Sequence, residues 1–154
     1  MVWIGTACPV LAMGCKEPDS EFGYARVEPM LDDAEIRRNV PSAFVTYVGS
    51  HQGCGCGFNS GLIEFEGIED EASLAPLLGA LLDGERAEYE RERRSRERLH
   101  LLISDALPAG PVIVYACWAG AEAEPPKADE RVDAGWLLRR TAPLKEGVRY
   151  TVIG

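Results

Sequence analysis

SAFVTYVGSHQGCGCGF, residues 42–58, decides how this chain is read. Its first half sets Phe44, Val45, Tyr47 and Val48 in near-continuous succession, with little polar alternation. A strand of that kind is covered on both faces, so the fold needs other layers to cover it. The second half changes character. His51, Cys54 and Cys56 fall within six residues, threaded between Gly53, Gly55 and Gly57. A buried strand that runs straight into a loop of ligand-type side chains places any chemistry at one end of a sheet.

Working outward, PVIVYACWAG (111–120) is a second strongly buried strand, and it delivers Cys117 near its C-terminal end. VWIGT (2–6) reads as a first strand, broken at Pro9. GLIEFEGIE (61–69) alternates, with Ile63 and Phe65 on one face and Glu64 and Glu66 on the other. GVRYTVIG (147–154) closes the chain as a further strand. In LDDAEIRRNVP (31–41), Asp32 caps a short helix, Glu35 reaches back to it, and Pro41 ends it. Leu74, Leu77, Leu78, Leu81 and Leu82 form the stripe of a core-facing helix. Its N-cap is read as Ser73, with Pro76 in the first turn and Gly84 as the stop.

ERAEYERERRSRER (85–98) is nearly all charged, with Glu90 and Arg94, and Glu92 and Arg96, spaced i, i+4 as exposed pairs. Leu99, Leu102, Ile103 and Ala106 then dock the same helix. Residues 14–30 read as an irregular arm. A loop over 119–130 leads to RVDAGWLLRR (131–140). With no internal repeat and no second domain, the reading is a single-domain α+β protein over 1–154: a mixed or antiparallel sheet with two or three helices packed on it.

The 154 residues carry 25 acidic and 16 basic side chains, for a net charge of −9. Such a balance repels phosphate backbones and argues against nucleic acid. A basic protein partner or a cation suits it better. No run reaches the roughly 18 to 20 apolar residues of a membrane span, so no membrane is expected. MVWIGTACPVLAMGC loosely resembles a lipoprotein leader, yet it starts with no Lys or Arg, and Gly5 and Pro9 interrupt it. Five cysteines form an odd set in a chain too large to need disulfide staples. Reduced thiols in a cytoplasm are therefore expected.

Four readings of the loop follow. Zinc takes thiolates and imidazoles in groups of four, and His51, Cys54 and Cys56 supply three. Cys117 is the natural fourth, with Cys8 and Cys15 as the other choices. The spacing departs from zinc ribbons and fingers, which show two tight ligand pairs where this chain has one. Alternatively, Cys54 or Cys56 is a reactive thiolate held by His51 or by backbone N–H groups. A third reading is an anion nest of backbone N–H groups, although the loop lacks the Lys-Ser/Thr ending and following helix of a phosphate loop. Finally, the glycines simply make a tight connection in which small thiols pack as buried hydrophobes.

Elsewhere the plain readings win. His100 is a partly covered surface residue beside Leu99, and Glu64 and Glu66 mark a solvated strand face. Ser50 beside His51 is adjacency without triad geometry. Trp3, Trp118 and Trp136 are core or rim aromatics.

VWIGT, YVGSHQGCGCGF and VYACWAG together resemble segments of a group of small uncharacterised bacterial proteins. The resemblance covers a minor part of the chain and implies no activity. It does imply that His51, Cys54, Cys56 and Cys117 form one pattern, from which Cys8 and Cys15 are left out. The leading expectation is a zinc ion on those four residues, in a structural or regulatory role. The alternative is an acidic interaction module, a regulator or immunity-type partner without metal. A thiol-dependent enzyme is the third.

Overall fold

The computed structural model describes residues 1–10, 23–26, 33–50, 58, 68, 71–139 and 144–154, with the backbone alone at 23–26, 33 and 71. In chain order the elements are β1 (Val2–Thr6), β2 (Gly23–Arg26), α1 (Asp33–Asn39), β3 (Phe44–Gly49), α2 (Glu71–Ala80) and α3 (Asp83–Ala106). They continue as β4 (Val112–Ala116), β5 (Ala128–Asp133) and β6 (Val148–Ile153), with short 3₁₀ turns at Leu107–Ala109 and Ala134–Leu138. The six strands form one mixed sheet in the order β2-β3-β1-β4-β6-β5. Four of its pairings are antiparallel, and β5 runs parallel to β6. This is the α+β class expected from the two buried strands.

Period-2 alternation sorts the side chains into two cores. Val2 and Ile4 of β1, Val48 of β3, Val112 and Val114 of β4, and Tyr150 and Val152 of β6 share one face. Leu99 and Ile103 of α3 cover that face, together with Trp136 and Leu137. On the opposite face Trp3, Val45, Tyr115 and Cys117 pack against Ile36 of α1 and against Val40. Helices on both faces are the condition that lets β1 carry no exposed residue. Each fully buried aliphatic side chain contributes roughly 1.5–3 kcal/mol relative to exposure. Among the described residues no helix is long and apolar enough to cross a membrane.

Several boundaries differ from the sequence reading. β2 lies inside the expected irregular arm, and its pairing with β3 supplies the order that composition does not. α2 begins at Glu71, so Ser73 lies within it and Pro76 is its sixth residue, at the cost of the Pro76 N–H bond. Only Leu74 of the leucine stripe is fully buried; Leu77 and Leu82 are exposed. Gly84 does not stop a helix but sits in the first turn of α3. α3 starts there because the Glu85 carboxylate accepts the Leu82 N–H at 2.9 Å, and Asp83 and Glu85 face the positive end of the helix dipole. The alternating segment at 61–67 and the Asp32 cap lie outside the described residues.

Gly5 marks the tightest approach in the sheet. A Cβ there would stand 2.5 Å from Val40 Cγ1 and 2.7 Å from Ser42 Cβ, and closer still to Ser42 Oγ. The turn joining α1 to β3 therefore crosses β1 where only a glycine fits. Gly5→Ala is expected to lower stability by about 1–3 kcal/mol through overpacking. The urea midpoint would fall with an unchanged slope; an unaltered midpoint would show that the crossing is loose.

Candidate functional site

β1 is paired on both edges, and this sets the geometry of the site. Val2 stands opposite Val48 of β3 and opposite Ala116 of β4. Since β3 and β4 are both antiparallel to β1, they run parallel to one another and end on the same side of the sheet. One residue further, the Cys117 N–H donates to Met1 O at 3.0 Å, and the N-terminal ammonium of Met1 donates to Cys117 O. Gly49 ends β3 at the same level, followed by Ser50, which is buried. Two interstrand spacings separate the β3 and β4 ends, about 10 Å.

Of the four predicted ligands, only Cys117 is among the described residues; His51, Cys54 and Cys56 lie outside them. Phe58 is fully buried in the core on the α3 side. The Cys117 side chain points to the α1 side, among Trp3, Val45 and Tyr115. Cys8 is exposed and follows the far end of β1, where the Thr6 hydroxyl donates to its carbonyl at 2.7 Å. The length of β1 puts it more than about 13 Å from Cys117, so Cys8 is removed as an alternative to Cys117. Cys15 lies outside the described residues. Among the described residues no three His, Cys, Asp or Glu side chains gather to hold a metal ion, so a site of the expected kind requires the 51–57 loop.

A cleft of about 30 Å³ opens beside Cys117, lined by Tyr115, Trp118, Glu124, Lys127 and Glu146 among others. It has room for an ion or a few waters, far less than the roughly 300–1,000 Å³ of small-molecule pockets. Its far wall is tied down from the α1 side. Asn39 Nδ2 donates to the carbonyls of Glu122 and Glu124 at 2.6 and 2.7 Å, and the Tyr115 hydroxyl donates to Glu124 O at 3.2 Å. Gly147, with φ +72°, turns the chain into β6 and donates its N–H to Ala116 O at 2.8 Å. Trp118 is 68 % exposed, a rim aromatic, whereas Trp3 and Trp136 are core.

A second set of buried polar groups was not foreseen. The inward stripe of α3 is Tyr89, Glu92, Ser95, Arg96, Leu99 and Ile103. Glu92 and Arg96 are therefore buried, not an exposed pair. Glu90 pairs with Arg93, which also bridges to Glu97. Arg96 donates through Nε to Leu137 O at 2.9 Å and through Nη2 to Arg139 O at 3.2 Å. Burial pulls its pKa down to about 10, with the nearby Glu92 charge opposing the shift, so it remains a cation at neutral pH. One turn on, half-buried His100 donates from Nδ1 to Ala134 O at 2.7 Å. Arg96 and His100 thus clamp the Ala134–Leu138 turn onto α3. Projecting the charged run onto the face that holds Leu99 and Ile103 would have found Glu92 and Arg96, because they share its period.

No protein-family model, curated protein or solved structure matches this chain. What the site can do rests on its own geometry.

Burial pushes the Cys117 thiol upward, and the same cause raises the hydroxyls of Tyr115 and Tyr150. In each case the folded state holds the proton more tightly than the unfolded chain. Stability is then full below the ordinary thiol and phenol values, about 8.5 and 10, and declines as pH rises through them. Urea midpoints of metal-free protein at pH 7.5, 9.5 and 10.5 should fall in that order. Tyr150→Phe should flatten the upper part of the decline. A midpoint independent of pH would contradict the burial of these groups.

Proposed function

We propose that this chain binds one zinc ion through His51, Cys54, Cys56 and Cys117, in a structural or regulatory role. The observation that carries the reading is the double pairing of β1, which leaves Cys117 and the root of the loop at one end of the sheet, about 10 Å apart. Four residues of extended chain, from Ser50 to Cys54, span up to about 13–14 Å, so the loop has the reach to close that gap. An imidazole and three thiols are a donor set suited to tetrahedral zinc. Four protein ligands fill the tetrahedron and leave no position for a reacting water, which separates this reading from zinc hydrolysis. In the metal-free state burial keeps the Cys117 thiol protonated; coordination removes that proton, so uptake of zinc should release protons to the solvent.

The test is elemental analysis of tag-free protein with its thiols kept reduced. About one zinc per chain is expected, falling sharply in Cys54→Ser and in Cys117→Ser. Less than about a tenth of an equivalent of any transition metal in the wild type would refute the reading.

A further inference from the structure

β5 ends the sheet, and among the described residues no strand pairs with its outer edge. All six residues of Ala128–Asp133 keep register with β6, and neither Pro nor Gly interrupts them. Half of their backbone N–H and C=O groups face away from β6, which makes a template for a further strand. The register with β6 also sorts the side chains by face. Glu130 and Val132 share the α3 side with Tyr150 and Val152, and Val132 packs partly buried against that core. Asp129, Arg131 and Asp133 share the opposite side with Arg149, Thr151 and Ile153, and all three are exposed. Asp129 is bridged to Arg149 and Asp133 to Arg139. Arg131, between them, makes no ion pair among the described residues.

We propose that β5 pairs antiparallel with β5 of a second copy of this chain, about a two-fold axis at Val132, and joins the two sheets into one. The charge pattern selects both the occupant and the register. A two-fold axis normal to the sheet keeps every side chain on its own face, so opposed residue numbers have the same parity. Centring the pairing on Arg131 sets that residue against itself and Asp129 against Asp133. Centring it on Asp129, Glu130 or Asp133 opposes like carboxylates at the axis, and centring it on Ala128 runs the pairing off the strand. Val132 is the remaining centre. There the two valines meet on the α3 side, and Arg131 of each copy faces Asp133 of the other on the open side. Like charges directly opposite are unfavourable, so the residues that reject the other registers specify this one. The seam is short, and the state it supports is a reversible dimer rather than an obligate one. No residue of the zinc reading takes part in the seam, so each can fail without the other.

The test is sedimentation equilibrium of the full chain across the micromolar to millimolar range, with folding of each variant checked by circular dichroism. Wild-type protein should pass from monomer to dimer as its concentration rises. Arg131→Asp opposes carboxylates at both pairs of the seam and should raise the dimer dissociation constant at least about tenfold. Asp133→Arg opposes guanidiniums there and should do the same. An equimolar mixture of these two variants restores both opposite-charge pairs, so it should dimerise where neither does alone. A second measurement needs no variant: in hydrogen exchange of the wild type, the outward amides of β5 should slow as concentration rises, while those of β2 at the other edge should not. A wild type that stays monomeric throughout would overturn the proposal. So would a dimer indifferent to Arg131→Asp, or one that leaves β5 exchange unchanged; the exchange result decides if Asp133→Arg does not fold.

Discussion

The pairing of Val2–Thr6 along both of its edges is the constraint on which the other features depend. A strand with two neighbours and a helix over each face has no solvent side, so all five of its residues are buried. Its central place also makes β3 and β4 parallel, although they lie more than sixty residues apart in sequence. Their ends are then brought to one side of the sheet, and with them Ser50 and Cys117. The same crowding reserves position 5 for glycine, because the Val40–Ser42 turn passes over it. Fold and candidate site therefore have one physical origin, a ladder of backbone hydrogen bonds whose register is fixed by alternating apolar side chains.

α3 carries a different kind of order. Its outer surface is laced by ion pairs such as Arg91–Glu88 and Arg93–Glu97, each worth only a few tenths of a kcal/mol at such exposure. Its inner stripe places Glu92, Ser95 and Arg96 in a buried row before Leu99 and Ile103. A buried guanidinium contributes little net stability by itself, since desolvation offsets most of its attraction. What it supplies is direction. Arg96 and His100 bind main-chain carbonyls of one short turn, and this orients Trp136 and Leu137 into the larger core.

The parts of this fold that were legible in the sequence are those decided locally. FVTYVG and VIVYA announce buried strands because an unbroken apolar run has no other economical place, and VWIGT and VRYTVI follow by the same token. β2 and β5 were not legible. GYAR and ADERVD lie at the two edges of the sheet, where one strand neighbour suffices, and neither sequence carries an apolar run to mark it. The α2–α3 boundary was misplaced because Gly84 carries a stop signal by propensity, whereas the Glu85 carboxylate starts a helix around it. Burial of Glu92 and Arg96 was hidden by composition, since a run of charges reads as solvated until its period is compared with that of the docked half. The closeness of Cys117 to Ser50, the residue before the glycine-cysteine stretch, depends on a strand that precedes both in sequence, and only the ladder reveals it.

That relation is the centre of the account, and zinc-edge X-ray absorption of the loaded protein addresses it most directly. The account predicts three sulfur ligands at about 2.3 Å and one nitrogen at about 2.0 Å, with the sulfur number falling to two in Cys117→Ser. A sulfur number unchanged by that substitution, or a zinc ion surrounded by nitrogen and oxygen alone, would contradict it.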